Sequence, residues 1–496
     1  MKKRFVYLGI IVSSIFLGCS EEFIDQNADT SNLTSIDLAE AAVNNPALIE
    51  GTLTGIYGFM ITPGGVTGGR HYDFGQKGVD IWTDIATGDM SLSASSYGWY
   101  NNTANLVATV DYTREENRII WQYYFKIINL ANNVILTAGG NDAQPEAGSE
   151  IGFILGQAKA ARAYAYFYLA QIFQRGYDPA QPILPYYDGE VVNPAKVPAS
   201  EIYDLIISDL THSVSLLDGF TRTQKNRIDK TVAQGLLAYA YAAMGNYTDA
   251  KTNAEAVINA GYPLTTAGQL ANPGAGSGFN NVNTASWIWG FDLTEDTGHQ
   301  LIDWWGQIDY FTYSYAWAGD AKSIDNALYN TMPFNDIRRS QFGNGYAPLQ
   351  PVGKFFDPGR APGGQYIITT DLIFMRVDEF YLLSAECSAK LGQDAAAKTR
   401  LIELLTDRLG GSLNAGNYVN PLSGQDLIDA IYLQTRLELW GEGKSYLAMN
   451  RNQATVTRGT NHVFRAGESF DYDSDELSFQ IPQVEIDNNP SITSQN

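Results

Sequence analysis

Cysteine is nearly missing from this chain, with two in 496 residues. That excludes a disulfide framework and a cysteine-rich zinc site. Histidine is scarce too: His71, His212, His299 and His462 lie far apart, with no HExxH spacing. Basic residues are outnumbered, 32 Lys and Arg against 54 Asp and Glu, for a net charge of −22. Nucleic acid and anionic bilayer surfaces are held by clustered Lys and Arg, so neither is expected as the main partner. Beyond the first residues, no run approaches the roughly eighteen apolar residues of a membrane-spanning helix. What is plentiful is Tyr and Trp, 30 and 9 beside only 7 Met. Their rings join a flat apolar face to a polar edge, which suits a sugar-holding surface as well as a core. Hydrophobic residues at 45% supply a large core and exclude wholesale disorder. The length allows two or three average domains or one large one.

Met1-Lys2-Lys3-Arg4 is a positive opening, and Phe5 to Leu17 is uncharged and mainly apolar. That run is shorter than a bilayer span of about 20 residues and fits a signal-peptide core. It closes on Phe16-Leu17-Gly18-Cys19, which resembles a bacterial lipobox, with Cys19 as the lipidated first residue. Residues 1–18 read as a lipoprotein signal peptide and 19–35 as a lipidated tether. Each buried acyl CH₂ contributes about 0.8 kcal/mol, so two or three chains anchor a domain firmly. Loss of Lys2, Lys3 and Arg4 with the signal moves the net charge from −22 to −25. Cys387 then has no partner and reads as a small helix-packing residue.

Residues 36–496 read as one mostly α domain. Ile120, Tyr123, Tyr124, Ile127, Ala131, Val134 and Ile135 mark one helix face that ends at Gly139-Gly140. Ile151 to Phe173 is a long helix rich in Ala and Tyr, and Ser200 is the expected cap of another. Thr231 to Gly261 and Arg376 to Leu405 share the Ala, Gly and Ala offsets of tetratricopeptide helix pairs. Between the helices lie Gly-, Asn- and aromatic-rich stretches, about 62–112 and 265–373, with Trp287-Ile288-Trp289 as a short strand. Stretches that long and that aromatic are expected to fold on the scaffold and carry function.

Several motifs carry a family resemblance. Gly156-Gln157-Ala158-Lys159-Ala160-Ala161-Arg162-Ala163-Tyr164 is similar to a "GEAxxxRAY" stretch, and Arg376 to Leu382 with Ala385-Glu386 to an "RxxExYLxxAEA" helix. Arg436, Glu438, Glu442 and Gly443 fit "RxxELxxEG", and Ile481-Pro482 through Glu485-Ile486 to Asn489-Pro490 fits a closing "IPxxEIxxNP". In this order the chain resembles the SusD/RagB family of surface lipoproteins. Ser20-Glu21-Glu22 after Cys19 also resembles the signal for cell-surface export in Bacteroidetes-type bacteria. The resemblance implies tetratricopeptide helix pairs, outer-membrane attachment and a SusC-like TonB-dependent transporter as partner. It further implies capture of an oligo- or polysaccharide without cleavage.

Tyr97-Gly98-Trp99-Tyr100-Asn101-Asn102 resembles the Trp-and-Asn loop with which starch-binding members hold glucan, pointing to Trp99, Tyr100 and Asn102. A second aromatic segment holds Trp304, Trp305, Tyr313, Tyr315 and Trp317, with Gln307, Asp309 and Asp320 as polar partners. Rings against sugar C–H faces and amides or carboxylates against hydroxyls are what glycan binding requires. No Arg or Lys cluster accompanies these rings, which favours a neutral glycan. Trp82, Trp121, Trp287, Trp289 and Trp440 sit in regular elements and are expected in the core. Asp471, Asp473 and Asp475 alternate as calcium ligands do, but without the Gly that turns an EF-hand; a solvated acidic turn is the plainer reading. No other cofactor is expected. Gly64 to Gly69 lacks the Lys-Ser/Thr of a phosphate loop and reads as a turn. Two other functions fit the composition. One is an all-helical glycoside hydrolase, with carboxylates about 5–5.5 or 6.5–9.5 Å apart. The other is the same fold holding a peptide or host glycoprotein.

Overall fold

The structure is a computed structural model that describes residues 46–189, 191 and 193–496. The signal peptide, the tether and the lipidation expected at Cys19 lie outside the described residues.

Twelve helices of eight residues or more carry the fold among the described residues. They are α1 (Ala47–Ile61), α2 (Gln76–Ala86), α3 (Glu115–Thr137), α4 (Glu150–Phe173), α5 (Ala199–Leu216), α6 (Lys230–Ala243), α7 (Tyr247–Ile258), α8 (Asp378–Lys390), α9 (Asp394–Arg408), α10 (Ser412–Val419), α11 (Gly424–Glu438) and α12 (Ser445–Asn452). Glu115 and Glu116 in the first turn of α3 favour its positive N-terminal end, and Gly139 and Gly140, both at positive φ, stop the chain beyond it. Ser149 caps α4, its hydroxyl accepting from Gly152 N–H at 3.2 Å. Burial runs almost all round α4. Its many Ala residues let α3 and α5 close on it from two sides. A Cβ at Gly156 would stand 3.0–3.1 Å from Leu217 and Leu216 at the end of α5, tighter than ordinary contact, so glycine suits this close crossing. Asp229 caps α6 and Asn246 caps α7. Ser200 is not a cap: α5 begins one residue earlier, behind Pro198, whose φ of −53° already suits the turn.

The expected tetratricopeptide-like pairs are α6 with α7 and α8 with α9. From α3 to α7 each helix packs on the next, and α7 packs directly on α8. Residues 259–377 are thus an excursion that leaves the helical stack and returns to it. Strand β4 (Trp287–Phe291) pairs antiparallel with β6 (Leu372–Arg376), closing the two ends of that excursion on each other. The remaining strands are short two-stranded pairs: β1 (Met90–Leu92) with β5 (Lys322–Ile324), β2 (Pro182–Pro185) with β3 (Lys196–Pro198), and β7 (Val456–Thr457) with β8 (Ser469–Phe470).

The excursion is fastened to the helices by buried charge. Arg338, Lys354, Arg376 and Arg408 meet Asp336, Asp378, Glu438 and Glu442, none more than 4% exposed. Arg376 reaches Glu438 at 2.9 Å and Glu442 at 2.8 Å; Arg408 reaches Glu438 at 2.6 Å; Lys354 reaches Glu442 at 2.8 Å. Four cations face four anions, which is how charge survives burial. Burial alone would raise the Glu442 carboxyl, yet Arg376 and Lys354 hold it at about 2. Glu386 is likewise held at about 2 against burial, by Arg451 and Lys390. The residues that carry the "RxxExYLxxAEA" and "RxxELxxEG" resemblances are therefore structural. Trp82, Trp121, Trp287, Trp289 and Trp440 are core residues, each at 2% exposure or less, and Cys387 is buried with its thiol pushed up to about 12, chiefly by burial.

Candidate functional site

A three-residue ladder assembles the site. Pairing of β1 with β5 sets Met90 opposite Ile324 and Leu92 opposite Lys322. The ladder runs on beyond the strands: Ser93 N–H donates to Ala321 O at 2.9 Å and Ser96 N–H to Gly319 O at 3.1 Å. The Trp99 loop is thereby laid along the segment that carries Tyr315. Asp320, fully buried, fixes the crest of the loop by accepting from Tyr97 N–H at 2.7 Å and Trp99 N–H at 3.1 Å. Tyr100 follows at φ +68° and Leu106 at φ +58°, on either side of the single turn Asn101–Ala104. Such conformations cost about 1–3 kcal/mol in a non-glycine residue and persist where packing imposes them. Here the Tyr100 ring is wedged against Tyr72 and Trp82, with Lys322 Nζ 4.8 Å above it.

Two groups of rings result. In the first, His71 stacks on Trp99 at 5.1 Å and 13°, and Tyr315 meets Trp99 at 5.7 Å and Tyr97 at 5.4 Å. His71 Nδ1 and the Tyr315 hydroxyl are hydrogen-bonded. The turn of Gly64 to Gly69 wraps on Asp73, which accepts from Val66 and Thr67 N–H at 3.0 and 2.7 Å, and so delivers His71 to this group. In the second group, Tyr313 stacks on Tyr366 at 4.5 Å and leans on Trp317 at 5.5 Å. Gly363, at φ +59°, lies beneath the Trp317 ring, where a Cβ would stand 2.6 Å from it. The single turn Tyr315–Ala318 carries both Tyr315 and Trp317, so the groups are neighbours. Tyr97 is 60% exposed, Tyr366 62% and Tyr313 41%; Trp99, Tyr315 and Trp317 are partly exposed.

Three expected ligand residues are core instead. Trp304 and Trp305, at 1% and 0% exposure, lie in the turn Trp304–Ile308 capped by Asp303, and pack on each other and on Phe355. Tyr100, at 2%, faces inward because its left-handed backbone turns it under the loop. Asn102 is half-buried and donates to Glu116 at 3.2 Å. The expected polar partners are also committed inside. Gln307 donates to His71 O at 2.8 Å and accepts from Lys322. Asp309 accepts from Phe311 N–H and the Thr312 hydroxyl, and burial pushes its carboxyl up to about 7. Burial pushes the Lys322 amine down to about 7, with Asp320 opposing. His71 is also lowered by burial. The calcium arrangement does not form. Asp471 accepts from Thr455 at 2.6 Å and Asp475 pairs with Arg175, and no three metal-ligating side chains converge among the described residues.

His71 and Tyr366 were not expected here. Each follows glycine punctuation in the irregular stretches (Gly68-Gly69 and Gly363-Gly364), and that was the signal available.

Residues 244–496 match the model of the SusD family, and residues 22–242 match a model described as starch-binding and associating with the outer membrane. Solved structures share the fold. A SusD-like carbohydrate binding protein from Bacteroides vulgatus is 23% identical, with a TM-score of 0.75 over 90% of this chain and 96% of that one. A SusD superfamily protein from Bacteroides thetaiotaomicron is 20% identical, with a TM-score of 0.72 over 90% and 98% of the two chains. Another from Bacteroides fragilis is 24% identical, with a TM-score of 0.71 over 90% and 99%. No curated protein matches the chain. Among the described residues, no helix is long and apolar enough to cross a membrane. On the family model that spans residues 244–496, joined to a helical stack with an aromatic loop surface, this chain belongs to the SusD family.

Proposed function

We propose that this protein binds a neutral oligo- or polysaccharide at the cell surface, is anchored in the outer membrane by lipid on Cys19, and passes its ligand uncleaved to a SusC-like TonB-dependent transporter. The observation that carries the reading is the paired aromatic surface: Tyr97, Trp99 and Tyr315 beside Tyr313, Trp317 and Tyr366, held by loop anchors rather than by burial of the rings themselves. Exposed rings in fixed array offer flat faces to sugar C–H patches. Arg70, one residue before His71, shares the Glu115 carboxylate with Arg118, so both guanidiniums are already engaged, which supports a neutral ligand over an anionic one. Absence of catalysis is supported by the state of the acids in the aromatic segment. Asp309 and Asp320 are buried and accept backbone N–H groups, so neither is placed to protonate a glycosidic oxygen.

Calorimetric titration of purified protein against neutral and anionic oligosaccharides tests the reading. A neutral glycan is expected to bind, with reducing-sugar release at background. Turnover would remove the non-catalytic assignment, and binding confined to anionic glycans would remove the neutral one. Cys19→Ala is expected to move the protein out of the membrane fraction. Membrane-extracted protein is expected to carry a β-barrel transporter with it through purification.

A further inference from the structure

A second groove opens on the solvent side of α3. Its volume is about 450 Å³, within the roughly 300–1,000 Å³ of small-ligand clefts. Phe125 and Tyr187 supply rings, and Gln122, Asn129 and Asn193 supply amides. The far wall comes from the closing "IPxxEIxxNP" motif, which the aromatic surface does not use. Glu485 accepts from Trp121 Nε1 at 3.3 Å and from Asn489 Nδ2 at 3.0 Å, fixing that wall against α3. The Asn129 amide and the Tyr187 hydroxyl have no side-chain partner among the described residues.

The groove is joined to the aromatic surface by an unbroken line of contacts. Trp99 meets Tyr72 at 5.1 Å, and the Tyr72 hydroxyl donates to Glu115 at 3.0 Å. Glu115 pairs with Arg118 at 2.9 Å, which donates to Gln122 at 3.0 Å on the groove rim. Residues 115, 118, 122, 126 and 129 fall on one stripe of α3, none of them buried. At 1.5 Å per residue, Gln122 lies about 10 Å along the axis from Glu115.

We propose that this groove is a distal subsite for the same neutral glycan chain, holding sugar units that extend past the Trp99 loop along α3. Rings and amides without a dominant charge are the chemistry that recognises carbohydrate. The inference rests on the glycan reading above. The preference it predicts is for chain length.

The test uses matched short and long probes: maltotriose and maltoheptaose, with corresponding pairs of xylo-, manno- and fructo-oligosaccharides. Wild-type protein is expected to bind the long member of its preferred pair at least tenfold more tightly than the short one. Phe125→Ala/Tyr187→Ala is expected to reduce that ratio to within twofold, leaving short-chain affinity unchanged. Because Phe125 also touches the core, Gln122→Ala/Asn129→Ala provides a surface-only variant, expected to lose at least half of the long-chain advantage. Trp99→Ala is expected to weaken both lengths. Length dependence that survives both groove variants, or is missing from the wild type, overturns the subsite and leaves the loop reading standing. Binding of no probe overturns both. Short-chain binding lost in the groove variants but kept in Trp99→Ala would move the primary site to the groove and overturn the assignment proposed here.

Discussion

Asp320 organises the aromatic surface without being part of it. Its carboxylate gathers the Tyr97 and Trp99 N–H groups. A buried donor left unpaired costs about 1–3 kcal/mol. Asp320→Ala is therefore expected to lower Tm by several degrees and to weaken glycan binding, both read on the same sample. Trp99→Ala should separate the two effects. The ring is partly exposed but packs on His71, Tyr72 and Tyr315, so the loss of stability is expected to stay below the roughly 3–5 kcal/mol of a fully buried Trp. Affinity is expected to fall by about 2 kcal/mol, roughly thirtyfold in Kd, as for other aromatic anchors. Gly363→Ala probes the second group of rings: a Cβ 2.6 Å from the Trp317 indole must displace it. Reduced affinity with altered Trp fluorescence is expected, and an unchanged spectrum would mean that the indole does not rest on this glycine. Residue-level reading of the sequence singled out Trp99, Tyr313, Tyr315 and Trp317 because aromatics in irregular stretches need a reason, and the structure leaves these four at least partly exposed. It misplaced Trp304 and Trp305 because a ring's exposure depends on which neighbour covers it, here Phe355, some fifty positions away. Asp303, directly before Trp304, is an N-cap residue, and that cue marked the start of a packed turn.

Elements built on long periodic segments were legible, and those built on brief pairings were not. The faces of α3 and α4 and the two tetratricopeptide-like pairs follow apolar spacing and small-residue offsets. The β1–β5 ladder has three residues a side, too few for an alternating pattern to appear, and joins segments more than two hundred positions apart. Buried charge was equally silent, because Arg376, Glu438 and Glu442 look like surface residues until their partners are known. Arg376→Met is expected to destabilise the protein by about 3–5 kcal/mol, since it leaves four buried carboxylates facing three cations, with Glu438 and Glu442 each short of one partner. Urea unfolding measures it, and a loss below 1 kcal/mol would show that solvent or other cations replace the guanidinium. The same network sets a pH response. Glu386 and Glu442 are held at about 2, below the usual carboxylate range. Their stabilisation is complete above the unfolded value near 4.5 and is lost as pH falls from there toward 2. Asp309, raised to about 7, acts with the opposite sign: it binds its proton first in the folded state, so its contribution improves as pH falls from 7 toward 4. Melting curves are therefore expected to drop steeply below pH 4.5, with the drop reduced in Glu386→Gln. In Asp309→Asn the rise between pH 7 and 5 is expected to diminish.

At the scale of the whole molecule, the question is whether the excursion at 259–377 behaves as a domain of its own. Its length is enough for one, and it holds five of the nine Trp residues: Trp287, Trp289, Trp304, Trp305 and Trp317. Its charges argue otherwise. Arg338, Lys354 and Arg376 belong to the excursion, yet their partners Glu438 and Glu442 lie at and just beyond the end of α11. The β1–β5 ladder ties a second edge of it to the loop after α2, and α7 packs on α8 across its two ends. Separating the excursion from the helices would leave those charges buried without counter-ions on both sides, so neither part gains by unfolding alone. Thermal or urea unfolding is thus expected to give one transition, with Trp fluorescence and far-UV circular dichroism coincident in midpoint. The two probes weight the parts differently, fluorescence toward the excursion and dichroism toward the helical stack. Midpoints that separate in the wild type would overturn the single-unit reading of residues 36–496. Midpoints that separate only in Arg376→Met would instead identify the buried charges as the tie between the two parts.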